Sequence, residues 1–349
     1  MQLVKETAPH IKRKDSLMWM LLNVIIALAP VCIWAWVAYP LSALRIFPLS
    51  VATCLLCEFL FILITKKDPK AFKIENILSS IITALIYALC LPTDLGFASG
   101  TGYFVVVAGA AIGIILGKLV FGGLGNNIFN PAALGMIVVR LFWGGISGNA
   151  AGTAGIIDSS ITTGATALAV ENFTTVPLLD LFIGRVPGAL GETFHIAILI
   201  GMVYLLITKT IDWKVLVSYL GTFVVLMLIA GVVLQAKGGE LFAHYALYQL
   251  LSGGVLFGAV YMITDPVTGP VGDPARVLFG AFAGVVTVAI RLLAGTEGVG
   301  FSILFANMIA PVLNYPQWSS SKWKKWHFIS AGALAGVALL IVILPLALR

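Results

Sequence analysis

The residues with the clearest chemical potential form one short polar run, Asp158-Ser-Ser-Ile-Thr-Thr-Gly-Ala-Thr-Ala-Leu-Ala169. Thr162, Thr163, Gly164, Ala165 and Thr166 within it are small, so another molecule can approach the backbone closely. A hydroxyl on an accessible loop is an attachment point for a phosphate or a flavin. Thr166 is the hydroxyl singled out, with Thr163, Gly164 and Ala165 beside it. The competing reading is a plain Ser/Thr/Gly-rich connector, the commoner use of such composition.

Two carboxylates come next. Glu58 lies inside an apolar run, and an acid at membrane depth is a functional candidate by default. Asp265, in Thr264-Asp265-Pro266-Val-Thr268-Gly-Pro270, could bind a cation, orient a partner or cap the next element. Glu58 and Asp265 are therefore the candidate ion-path residues. Lys118, Arg140 and Arg291 stand near the ends of apolar runs, where long basic side chains snorkel to the interface. Glu192, in Gly188-Ala-Leu-Gly-Glu-Thr193, is placed at the first turn of an apolar helix, favourable against its dipole. Gly122-Gly-Leu-Gly-Asn-Asn-Ile-Phe-Asn-Pro131 joins two apolar runs, either as a tight turn or as a cradle for a polar ligand. Cys54-x-x-Cys57, with Cys32 and Cys90, raises the idea of an iron–sulfur cluster. Buried cysteine is more often a small hydrophobe, so packing is the preferred role and no metal ligands are assigned.

The rest of the chain must position these groups. Of 349 residues, 60% are hydrophobic and 10% charged, against about 25% charged in soluble domains. Mean hydropathy is +1.04. These values exclude a soluble domain and indicate an all-α polytopic membrane protein. The net charge of +6 comes from basic residues beside apolar runs, which fits membrane topology better than nucleic-acid binding. With 15 Asp+Glu and 4 His, conventional acid–base machinery is sparse, and no catalytic residue is assigned. A basic N-terminus followed by a full-length apolar run reads as an uncleaved first helix.

Runs approaching the bilayer requirement of about 20 apolar residues are Leu17–Val37, Ile46–Thr65, Ile77–Leu91, Gly102–Val120, Asn130–Trp143, Phe194–Ile207, Val215–Gln235, Tyr248–Ile263, Ala275–Leu293, Gly300–Leu313 and Ile329–Leu348. The third, fifth, sixth, eighth and tenth are short, as broken or half-crossing helices are. Lys5, Lys12, Arg13 and Lys14 place the N-terminus in the cytoplasm, as do Lys66 to Lys73, Lys209 with Lys214, and Lys322 to Lys325 for their loops. The connections poor in Lys and Arg, 144–193 among them, fall outside. This sidedness follows the basic clusters rather than strict alternation of eleven full crossings, which is expected not to accommodate every loop.

Leu78-Ser79, Gly109 with Gly113 and Asn130-Pro131 recur as Leu251-Ser252, Gly280 with Gly284 and Asn307 to Pro311, about 173–180 positions later. Five spans per unit make such a repeat inverted. The expected organisation is a first repeat over 1–143, an extracytoplasmic loop over 144–193, a second, inverted repeat over 194–314 and an added helix over 315–349.

Taken together, Ala8-Pro9-His10, Gly122–Pro131, Thr163-Gly-Ala-Thr166, Gly191-Glu192-Thr193, Gly253-Gly-Val-Leu-Phe-Gly258, Thr264-Asp265-Pro266-Val-Thr268 and Asn307 to Pro311 resemble the RnfD/NqrB family of membrane subunits. The similarity runs from the N-terminus to about Asn314. The resemblance implies FMN on Thr166 through a phosphoester bond, attached on the extracytoplasmic side. It also implies an electron carrier in a complex that moves electrons between ferredoxin and NAD and pumps Na+ or H+. The implied partners are soluble-facing iron–sulfur/flavin subunits, a second flavinylated subunit and small membrane subunits. NqrB-type members hold a non-covalent riboflavin as well, which makes riboflavin a second candidate cofactor. The long N-terminal extension expected of NqrB is missing, so the RnfD type is preferred. Quinone reduction of the NqrB type and a non-redox transporter are the alternatives.

Overall fold

The computed structural model describes residues 16–145, 177–237, 242–315, 319 and 322–348. Among these the chain is built of helices, because in a bilayer only intrasegment hydrogen bonds satisfy the backbone of each crossing. Six helices are long and apolar enough to cross a membrane: α1 (Leu17–Ala38), α2 (Pro40–Lys66), α4 (Thr101–Ile114, extended by a π-helical turn Ile115–Leu119), α8 (Trp213–Ala236), α11 (Asp273–Ala294) and α13 (Lys325–Leu348). Four apolar helices are shorter: α3 (Ile74–Leu89), α5 (Pro131–Trp143), α7 (His195–Ile207) and α12 (Val299–Leu313). A short helix α6 (Leu178–Ile183) precedes α7. The eighth expected span is broken into α9 (Phe242–Leu251) and α10 (Val255–Tyr261) at Ser252-Gly253-Gly254, where Gly253 takes φ +67°.

Each expected run thus becomes a helix or a broken helix. The loops differ from the expectation in one respect. Eleven segments that reverse direction in turn do place all the basic loops at one end, so alternation and the basic clusters agree. The contacts sort the same way. At one end, Asn23 Nδ2 donates to Thr210 Oγ1 (3.3 Å), Arg276 pairs with Asp212 (2.5 Å), Lys214 with Asp273 (2.6 Å), and the Val271 N–H donates to Asn314. At the other end, the N–H groups of Leu190 and Gly191 donate to Leu91 O and Leu89 O, and Lys237 Nζ donates to Leu346 O.

α4 packs on α2 and α5, and α11 packs on α8 and α12. The glycine pairs serve different partners. A methyl on Gly113 would stand 2.6 Å from Pro131 O of α5, whereas one on Gly280 would stand 2.6 Å from Val215 O of α8. Both pairs bring backbone against backbone. A Gly113→Ala chain must separate α4 from α5, an overpacking cost of about 1–3 kcal/mol. It is expected to lower the thermal midpoint in detergent. Gly332→Ala on α13, with nothing within 4 Å, should not.

Candidate functional site

Thr163, Gly164, Ala165 and Thr166 lie outside the described residues. The chain is described again from Pro177, and its return to the bundle is firmly tied. Besides the bonds from Leu190 and Gly191 to the end of α3, His195 at the start of α7 is hydrogen-bonded through Nδ1 to Leu181 O of α6 (2.9 Å). The described segment 177–194 is therefore fixed against the ends of α3 and α6.

Within the bundle the buried charges form two groups, one toward each end. In the first, Lys118 Nζ donates to Glu58 Oε2 at 2.5 Å and to Ser79 Oγ at 3.0 Å. Glu58 also accepts from Asn76 Nδ2 (3.0 Å) and Ser80 Oγ (3.1 Å). The side chains of Lys118 and Glu58 are 0% and 1% exposed. The π-helical turn that ends α4 carries Lys118 on this buried face; such turns mark functional positions in many helices. Lys118 does not snorkel, contrary to the sequence expectation, because Glu58 neutralises it in place.

Ser79 also lines a cavity of about 250 Å³ between the two halves, together with Thr83, Asn127, Asn130, Thr210 and Asp265. Asn130 organises its wall. Its Oδ1 accepts from the N–H groups of Ala132 and Ala133, capping α5, and its Nδ2 donates to Met262 O at the end of α10. Its own N–H donates to Asn307 Oδ1 of α12, so the two asparagines of the sequence repeat meet. Asn127 Oδ1 is buried without a partner among the described residues. Asp265 accepts from the Val267 N–H (3.1 Å) and Thr268 Oγ1 (3.3 Å), closing its own turn rather than capping α11, whose N-cap is Gly272, and it lines the cavity wall.

The second group completes the broken helix. Arg291 donates to Gln249 O and Ser252 O (2.8 Å), the carbonyls that α9 leaves open, and to Glu297 O (3.2 Å). The Gly254 N–H at the start of α10 donates to Glu297 Oε1, and Glu297 Oε2 pairs with Arg140 of α5 (3.0 Å). A break inside a bilayer is tolerated only where its open backbone groups find such partners. Arg291 is 3% exposed and, like Lys118, does not snorkel. Glu192 is also displaced from its expected role. α7 begins at His195, and Glu192, 9% exposed, is turned toward Gly254 and Glu297.

The four cysteines are free thiols. Cys54 and Cys90 sit in the apolar core, and Cys32 and Cys57 pack against it; no group of three or more metal-ligating side chains comes together among the described residues. Cys90 Sγ lies 3.9 Å from Met262 Sδ. Glu297 was missed in the sequence. Its only signal was an acid in a short Gly-flanked turn between two apolar runs.

The chain matches the model of the NQR2, RnfD, RnfE family over residues 4–320, which leaves α13 outside the match. It is 33% identical over 292 residues to a subunit of the Na(+)-translocating NADH-quinone reductase from Chromohalobacter salexigens, covering 80% of this chain and 67% of that one. It is 30% identical over 320 residues to a subunit of the Na(+)-translocating ferredoxin:NAD(+) oxidoreductase complex from Acetobacterium woodii, covering 90% and 93%. A subunit of the proton-translocating ferredoxin:NAD(+) oxidoreductase complex from Clostridium ljungdahlii is 28% identical over 323 residues, covering 88% and 92%.

Proposed function

The chain belongs to the NQR2, RnfD, RnfE family, and from that premise we propose that it is the membrane electron carrier of an Rnf-type complex, with FMN covalently attached to Thr166. In the coarser terms its relatives support, it is a multi-pass membrane subunit of an ion-translocating NADH or ferredoxin oxidoreductase complex. The choice of the Rnf type is supported by the alignment with the Acetobacterium protein, which spans nearly all of both chains. The Thr163-Gly-Ala-Thr166 run supports the flavin attachment on chemical grounds, by offering a hydroxyl among small residues.

In this reading the basic loops face the cytoplasm, and the Thr166 loop lies on the other side. FMN, when bound, supplies the electron-carrying chemistry, and the protein supplies position and electrostatics. Thr166 Oγ holds the flavin phosphate. The ties at Leu190, Gly191 and His195 fix the segment that leads from the loop into α7. Asp265 contributes to the ion path from the cavity wall. An ion passing Glu58 competes with Lys118 for its carboxylate. Riboflavin is a second proposed cofactor, supported by Asn127 Oδ1 on the cavity wall, unpartnered among the described residues. The partners are soluble-facing iron–sulfur/flavin subunits, a second flavinylated subunit and small membrane subunits.

The similarity to a quinone-reductase protein favours a second reading, with quinone as the acceptor. The complex purified with this chain and reconstituted into vesicles separates the readings. Oxidation of reduced ferredoxin with NAD as acceptor, accompanied by Na+ or H+ uptake, is the expected result. Turnover with quinone alone, or ion flux without any electron transfer, overturns it.

A further inference from the structure

The return segment of the polar loop drives one carboxylate into a place already held by another. A methyl on Gly254 would stand 2.6 Å from Glu297 Oε1 and 2.7 Å from Glu192 Oε1, so both carboxylates converge on one backbone position. Glu297 has donors there, Arg140 and the Gly254 N–H. Arg291 gives its guanidinium hydrogens to Gln249, Ser252 and the Glu297 carbonyl. Glu192, 9% exposed, faces Glu297, Arg140 and Arg291 from this position. Two ionised carboxylates that converge on one backbone position repel each other. One proton removes that repulsion and turns Glu192 into a donor.

We propose that Glu192 and Glu297 form a proton-binding pair at the base of the loop, with Glu192 carrying the proton and Glu297 the charge. The groups facing Glu192 are Glu297 from the α11–α12 turn, Arg140 from α5, Arg291 from α11 and the Cys90 thiol at the end of α3. Burial, then the like charge of Glu297, push the Glu192 carboxyl well above the usual carboxylate range, against the opposing pull of Arg140 and Arg291. Loss of the proton sets Glu192 against Glu297 for Arg140. That competition loosens the carboxylate that caps α10, so the protonation state of the loop's base is transmitted to the broken helix. The pair stands on geometry alone, and an unmodified Thr166 would leave it intact.

Because the folded-state affinity for this proton is raised above the unfolded one, its contribution to stability is complete at low pH and is lost as pH rises through the folded value. The test follows the thermal midpoint of the purified full-length protein in detergent, for wild type and Glu192→Gln, in sodium and in choline buffers. Wild type is expected to lose stability relative to Glu192→Gln as pH rises, equally in both buffers. Parallel profiles for the two proteins overturn the proposal. So does restoration of wild type at high pH by sodium alone, which would assign the site to a cation. If Glu192→Gln does not fold, the infrared spectrum of wild type labelled with isotopic glutamate decides. A protonated glutamic acid band at neutral pH that disappears in alkali is expected, and its absence overturns the pair.

Discussion

A Thr166→Ala chain, produced with its partner subunits and a flavin transferase, is expected to assemble normally and to carry no covalent FMN. The substitution removes only a hydroxyl and a methyl from a polar run that lies between the apolar runs of the sequence. Ferredoxin-dependent NAD reduction should fall to background, because a cofactor held without its bond dissociates, and the position that the protein imposes is lost with it. Thr163→Ala, three residues away, is the matched control and should retain both flavin and activity. Fluorescence of the denatured band under ultraviolet light reads the attachment, and absorbance of NADH reads the activity. A fluorescent Thr166→Ala band would place the bond on another residue.

The largest effect on stability is expected from Lys118→Met. The Glu58 carboxylate would keep Asn76 and Ser80 as donors but lose the cation 2.5 Å away, in a place where both side chains are essentially sealed from solvent. Removing one member of a buried ion pair costs about 3–5 kcal/mol, since the other charge stays behind. Replacing both members is far milder and sometimes stabilising. Lys118→Met should therefore unfold at a much lower temperature in detergent, and Glu58→Gln/Lys118→Met should recover most of the loss. Equal stability of the single variant and wild type would contradict the pairing. The same comparison separates the two roles of Glu58. A double variant that folds well yet no longer supports ion uptake assigns the carboxylate to transport as well as to packing.

What was legible in the sequence follows from the solvent. A bilayer turns hydropathy into a direct record of helices, so the apolar runs and even the short ones at α3, α5, α7 and α12 could be read. The cap that Asn130 places on α5 was not read, although Asn before Pro at a helix start is the local signal for one. The partners of buried charges were not legible. Glu58 meets Lys118 across 60 positions and Arg140 meets Glu297 across 157, separations that no local periodicity encodes. For the same reason Lys118 and Arg291 were read as snorkelling, and Glu192 as a dipole partner. Local pattern reports where an ionisable residue lies along its helix. Whether it turns inward depends on an opposite charge brought by another element.

The central claim is the flavin on Thr166, and the most direct test is the mass of the peptide that contains it. The protein should be purified from a host with a competent flavin transferase, digested, and the Thr166 peptide fragmented in a mass spectrometer. An FMN-sized addition localised to Thr166 is the predicted result and establishes the chain as a covalent flavoprotein. An unmodified Thr166 peptide from the same host would contradict it, return the loop to a plain connector and make transport without electron transfer the leading account.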